Sequence, residues 1–257
     1  MKLRGRTALV TGGGGGIGLA LAAALLTRNC AVIAVGRSSQ RLEQAKARCP
    51  GLHTITCDIT DDEDLAALVK TVTREFPSVD LLFNNAGAME TWNINEEPWH
   101  PALDLEIATN LTAPMKLISR LLPALRARPS AAIVNVTSAL AYAPIAAIPV
   151  YCATKAALHS YSKSLRHQLK GTQLRVFELL PSTVATDMSK HRFSSKMLSP
   201  EAVVSALLHG MERDRYEIRV GQAVPLYVMT RLAPSLIERA ILATPTEAAR
   251  PVLTAKV

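Results

Sequence analysis

The segment TALVTGGGGGIGLALAAALL, residues 7–26, joins three kinds of sequence. Thr7 to Val10 is a short apolar run that reads as a strand. Glycines then occupy positions 12–16, with another at Gly18. From Ile17 to Arg28 the chain is dominated by Ala and Leu, strong helix formers, and reads as a helix. Strand, glycine turn and helix in that order open a nucleotide-binding βαβ unit. Glycine lets the backbone come close to a pyrophosphate. The first N–H groups of the helix, at the positive end of its dipole, face the phosphates. A flexible glycine linker fits less well, because both flanks are apolar and regular.

The same alternation continues outward. Strands are expected at 31–35, 53–57, 80–84, 131–137, 174–180 and 216–220, and helices at 39–48, 61–75, about 103–125, 151–170 and 200–213. The strands are near-continuous apolar runs, such as AVIAV at 31–35, which marks a parallel sheet buried on both faces. Strand–helix alternation requires crossover connections, so the predicted fold is α/β: a doubly wound parallel sheet of about seven strands, Rossmann-type, with helices on both faces. No linker divides the chain, and residues 1–257 are read as a single dinucleotide-binding and catalytic domain.

Composition narrows the class of protein. With 49% hydrophobic and 19% charged residues, the chain is expected to bury a sizeable core. The net charge of +8 is scattered, without a dense Lys/Arg run, so nucleic-acid binding is not expected. Cys30, Cys49, Cys57 and Cys152 have no metal-site or Cys-x-x-Cys spacing and read as reduced thiols. Met1 to Arg6 leads straight into a strand, without a leader-like apolar segment. No stretch approaches the roughly 20 apolar residues of a spanning helix. A cytoplasmic protein without a membrane span is expected.

The ends of the second and third strands bear on the cofactor. An acidic residue after the second strand would hold the ribose 2′-OH of NAD; here Gly36-Arg37-Ser38 follows. Arg37 and Ser38 suit a 2′-phosphate, so NADP(H) is favoured over NAD(H). At the end of the third strand, Asp58 and Ile59 fall where adenine would lie. Asp58 also suits the start of the next helix, as a cap.

Two features carry the chemistry. Tyr151 and Lys155 stand at i and i+4, on one face of a helix. A neighbouring ammonium stabilises phenolate and is expected to bring the Tyr151 pKa down from about 10 toward working pH. Ser138 leaves the fifth strand at its carboxyl end, where ligands of doubly wound sheets bind. Its hydroxyl can orient a substrate oxygen, although a serine there can also be a turn cap.

Together these residues resemble the short-chain dehydrogenase/reductase family, in its single-domain branch. The Thr-Gly-x-x-x-Gly-x-Gly loop stands at 11–18, Asn-Asn-Ala-Gly at 84–87, and Asn110 in Ile-Ala-Thr-Asn-Leu. Ser138, Tyr151 and Lys155 match the remaining catalytic positions, with Ser and Tyr 13 positions apart. The resemblance implies that Tyr151 exchanges the proton at the substrate oxygen. Lys155 lowers its pKa and holds the nicotinamide ribose, Ser138 orients the substrate, and Asn110 holds a water linking Lys155 to solvent. Gly12, Gly14, Gly15, Gly16, Ile17 and Gly18 then shape the pyrophosphate site. Asn85, Ala86 and Gly87 lie along the adenosine ribose and central strand, and Pro181, Val184 and Thr186 meet the nicotinamide and phosphates. The family's Pro-Gly after the sixth strand is Pro181-Ser182 here, and its frequent C-terminal glycine motif is absent. With YCATKAALHS at 151–160 and LRHQLK at 165–170, the chain is similar to a bacterial subgroup labelled DltE-like.

The expected reaction is NADPH-dependent reduction of a ketone or aldehyde. NAD-dependent alcohol oxidation and dinucleotide sensing without turnover are the alternatives. The basic stretch at about 187–199 corresponds to a substrate lid, in which Lys190, His191, Arg192 and Lys196 can attract an anionic substrate or simply face solvent. Trp92 and Trp99 are candidates for a pocket wall or for packing. The apolar tail, about 225–257, is broken by Pro234 and is expected to pack on the domain or on a partner subunit. The resemblance also implies a homodimer or homotetramer.

Overall fold

β1 (Thr7–Thr11), β2 (Ala31–Gly36), β3 (His53–Thr56), β4 (Leu81–Asn84), β5 (Ala131–Val136), β6 (Leu174–Pro181) and β7 (Glu217–Val220) form a seven-stranded sheet in the order β3-β2-β1-β4-β5-β6-β7. Every pairing is parallel. The computed structural model describes residues 1–96, 99–100, 102–189 and 197–243. Strand order reverses between β1 and β4, and the crevice at that switch point is where such sheets take ligands.

The buried strands divide their side chains between two helical layers, as a period of two requires. Ala8 and Val10 of β1 face one layer, packing with Leu21 and Leu25 of α1 (Gly16–Leu26), Leu42 of α2 (Ser39–Arg48) and Leu207 of α7 (Pro200–Glu212). Leu9 faces the other, with Leu65 of α3 (Asp62–Glu75), Leu117 and Leu121 of α5 (Ala113–Arg126) and Leu165 of α6 (Pro149–Gln168). All four cysteines are buried free thiols. Among the described residues no helix is long and apolar enough to cross a membrane.

One expected element is broken. The single helix read at about 103–125 is α4 (Leu103–Ile107), a π-helical turn (Ala108–Thr112) and then α5. The amide of Ala113 reaches back to the carbonyl of Ala108, a five-residue step. The reason is chemical: Pro114 has no N–H to return to Asn110, so the ordinary ladder cannot pass this point. Single π turns of this kind often mark functional sites, and this one turns Asn110 fully inward. The tail breaks at Pro234 as expected, into α8 (Ala223–Leu232) and α9 (Pro234–Leu242); residues 244–257 lie outside the described region.

Candidate active site

The glycine loop is held against the next crossover by Thr11. Its hydroxyl accepts from the amides of Asn85 (3.0 Å) and Ala86 (3.1 Å). The Asn85 side chain donates to the carbonyls of Thr11 (2.9 Å) and Gly12 (3.3 Å). A Cβ at Gly18 would stand 2.2 Å from the Gly12 carbonyl oxygen, so only glycine lets α1 start this close to the loop. Gly16 has φ 51°, and a Cβ there would stand 2.9 Å from Thr186 Cγ2 on the opposite wall. α1 begins without a side-chain cap and without an acidic residue in its first turn, leaving its N–H groups and positive dipole end to a ligand. This narrow, uncapped cradle fits a pyrophosphate.

The cradle opens into a cleft of about 480 Å³. Of the residues expected for the site, Gly12, Gly15, Gly16, Ile17, Asn85, Ala86, Gly87, Ser138, Tyr151, Lys155, Pro181, Val184 and Thr186 line it. Gly14 faces Arg41 at the loop's edge, Gly18 lies beneath the loop, and Asn110 lies behind Gly87.

The candidate reactive side chains come from the turn that follows β5 and from the first two turns of α6. Ser138 Oγ accepts from the amide of Leu140 at 3.1 Å, capping a 3-10 turn over Ala139–Ala141, so its cap reading is correct. The same hydroxyl faces the Tyr151 phenol closely enough to favour its ionised form. The Lys155 ammonium is almost fully buried, donates to the Val136 carbonyl at 3.0 Å, and lies 5.5 Å from the Tyr151 ring centre. Burial pushes Lys155 down to about 8. Burial also pushes the Tyr151 phenol up to about 12, and the neighbouring Ser138 hydroxyl offsets only part of that. The expectation that Lys155 draws Tyr151 down is therefore corrected for this state: burial raises the phenol, and the ammonium, turned onto the Val136 carbonyl, does not counter it.

Asn110 is tied down at every polar side-chain atom. Its Oδ1 accepts from the Ala88 amide, and its Nδ2 donates to the Ala88 carbonyl, both at 2.8 Å. Nδ2 also reaches Thr154 Oγ1, at 3.1 Å. A Cβ at Gly87 would sit 3.3 Å from Asn110 Oδ1 and 3.8 Å from Lys155 Nζ, so the three residues are neighbours.

Behind Ser138 lies a network with no sequence signal beyond a lone His and a lone Glu. Glu178 of β6, fully buried, accepts from Thr137 Oγ1 at 2.7 Å and pairs with His159 Nδ1 at 2.8 Å. His159 follows Tyr151 and Lys155 at four-residue steps, on the same face of α6. The Tyr142 ring packs edge-on against His159, and its hydroxyl accepts from Arg219 Nε at 3.0 Å.

At the adenosine end, Ser38 caps α2, accepting from the Arg41 amide at 3.2 Å. Arg37 is exposed, with Asp58 at 3.9 Å. Asp61, not Asp58, caps α3; Asp58 instead accepts from the amide and hydroxyl of Thr60. Ile59 is buried in the core beside α3. Sequence reasoning missed Arg41, which lines the cleft and lies 3.6 Å from Asp187. Its only signal was its place four residues after Arg37. Neither Trp92, which packs on His100, nor the exposed Trp99 lines the cleft. Lys190, His191, Arg192 and Lys196 of the expected lid lie outside the described residues.

A sequence profile of the short chain dehydrogenase family matches residues 6–197. The uncharacterized oxidoreductase DltE of Bacillus subtilis strain 168 is 41% identical over 224 residues, 85% of this chain and 89% of that one. A short chain dehydrogenase from Burkholderia cenocepacia J2315, solved in complex with NADP, superposes with TM-score 0.84 at 27% identity, covering 95% of this chain and all of that one. The bulky-bulky ketone specific alcohol dehydrogenase from Comamonas testosteroni superposes with TM-score 0.76 at 25% identity, covering 96% and 99%.

Removing Glu178 would leave Thr137 and His159 without their buried acceptor. Glu178→Ala is expected to cost about 3 kcal/mol in urea unfolding. Glu178→Gln, which keeps an acceptor oxygen, should lose less than half as much; equal losses would show that the carboxylate contacts contribute nothing specific.

Proposed function

The chain belongs to the short-chain dehydrogenase family, an NAD(P)-dependent oxidoreductase acting on CH–OH or C=O groups, and on that premise we propose that it reduces a ketone or aldehyde with NADPH. The observation that carries this reading is geometric: Ser138 and the Tyr151 phenol line the cleft beside the glycine cradle, with the buried Lys155 ammonium 5.5 Å from the Tyr151 ring centre. A carbonyl oxygen placed there meets two hydroxyls, one to orient it and one to give it a proton. The opposite direction, alcohol oxidation with NAD, uses the same residues; reduction is favoured through the NADPH preference argued from the β2–α2 corner.

The roles follow from position. The bound cofactor supplies the hydride that adds to the carbonyl carbon. Ser138 donates a hydrogen bond to the carbonyl oxygen, and Tyr151 protonates that oxygen as charge develops on it. Lys155, cationic below about pH 8, stabilises the phenolate left behind and holds the nicotinamide ribose. Asn110 and the π turn keep the 86–88 backbone and Thr154 in register with Lys155. Gly12 to Gly18, Asn85 to Gly87, Pro181, Val184 and Thr186 enclose the rest of the cofactor.

The preference for NADPH is supported by the β2–α2 corner. Arg37, Ser38 and Arg41 cluster there, and no acid immediately follows β2. The partners of both arginines, half-buried Asp58 and exposed Asp187, form long pairs, which contribute little and yield readily to a phosphate. We also propose that the whole chain acts as one catalytic unit in the cytoplasm, as a homodimer or homotetramer. Exposed Leu105 and Ile107 on α4 and Met115 on α5 support such an assembly.

Tyr151→Phe is expected to lower kcat/KM for carbonyl reduction at least about a thousandfold, with the Kd for NADPH, read by fluorescence titration, unchanged within twofold. Substantial residual turnover would sink the assignment of the proton to Tyr151. Arg37→Ala is expected to raise KM for NADPH about tenfold, the loss of one charge-assisted bond, and to leave KM for NADH alone. An unaltered protein that works better with NADH would contradict the cofactor reading.

A further inference from the structure

The apolar tail, expected to be a packing element, closes the far end of the cleft. Ile241 of α9 packs with Met89, Ile145, Ile148 and Cys152, in a cluster that also takes in the Tyr151 ring and Met188. Leu226 of α8 lines the same cleft. Its neighbour Tyr227 fixes α8 to the framework: the Arg219 guanidinium lies 3.6 Å from the centre of that ring, and the Tyr142 ring lies 5.2 Å away. Tyr142 in turn packs on His159, in the network behind Ser138. The wall built by the C-terminal helices is thus held in register with the reacting oxygen.

The charge around that oxygen is uneven. On the C-terminal side the described walls are Met89, Leu140, Ile145, Met188, Leu226 and Ile241, with Gln222 as a neutral polar group. The charged side chains that reach the cleft, among the described residues, lie elsewhere. Arg41 and Asp187 face each other by the glycine loop, and Lys155 is bonded to the Val136 carbonyl. An anionic substituent would lose its water here and find no cation among these walls, whereas an alkyl chain would replace water on both surfaces.

We propose that the substrate is an uncharged ketone or aldehyde bearing an apolar substituent of several carbons. Its carbonyl lies at Ser138 and Tyr151, and its substituent lies under Ile241 and Leu226, so that α8 and α9 set the specificity. This rests on the reductase reading above.

The test measures binding separately from turnover. Straight-chain methyl ketones, from butanone to nonanone, are titrated calorimetrically into the Tyr151→Phe protein saturated with NADPH. The 4-oxo acid levulinate serves as the anionic comparison. The unaltered protein is assayed on the same panel. Affinity and kcat/KM should both rise about three- to fourfold per methylene until the pocket is filled, with levulinate binding at least about tenfold more weakly than the methyl ketone of equal chain length. Ile241→Asp should flatten that rise without changing the Kd for NADPH. Leu226→Asp, on the other helix, should do the same if Ile241→Asp fails to fold. Leu232→Asp, at a position 76% exposed, should leave the rise intact. Tighter binding of levulinate, or an unchanged rise in both aspartate variants at the wall, would overturn the substrate class while turnover upholds the reductase. Chain-length-dependent binding with no turnover of any carbonyl would strike the reductase reading instead.

Discussion

The bond from the Lys155 ammonium to the Val136 carbonyl ties the catalytic helix to the strand end that carries Ser138. A buried ammonium is costly unless it has acceptors, and here the acceptor is the last residue of β5. With α6 packed on the sheet through Leu165, that contact pins its first turns at the carboxyl end, with Tyr151 beside Ser138. The packing around it follows: Asn110 is turned inward by the π turn to brace Thr154, and Glu178 braces Thr137 from below. Residues from four stretches of chain far apart in sequence thereby brace one corner of the cleft.

Most of the architecture was legible because parallel strands buried on both faces leave unmistakable apolar runs, and because glycines at 12–18 have no cheaper explanation than a close helix start. That Tyr151 and Lys155 share one helix face was legible as well, since residues one turn apart fix their own geometry. What could not be read were arrangements made by the tertiary fold. The π turn at 108–112 depends on Pro114 denying a bond to Asn110, a signal present in the sequence but equally compatible with an ordinary first-turn proline. The pairing of His159 with Glu178 joins a helix to a strand through side chains with no fixed spacing. That Asp58 does not cap α3 was decided by Asp61 three residues later, which took the cap.

The tail shows the same limit from another side. Hydrophobicity at 225–243 announced burial of some kind but not the surface it would meet. Only the geometry of α8 and α9 reveals that one stripe reaches the cleft while Leu232 and Leu236 remain exposed. The fold thus separates two jobs. On the proposed reading, the glycine loop, Ser138, Tyr151 and Lys155 set the reaction from the sheet outward, and the last helices close over the reacting end.

Desolvation decides the electrostatics of the reacting pair. It drives the phenol and the ammonium in opposite directions, both toward their neutral forms, and leaves Tyr151 the more firmly protonated of the two. Direct titration of that phenol is the sharpest check: the near-ultraviolet phenolate absorbance of the protein against pH, with the Tyr151→Phe curve subtracted. The account predicts a difference that stays flat through the ordinary tyrosine range of about 10 and rises only near 12. A Tyr151 phenolate already present at neutral pH would contradict it.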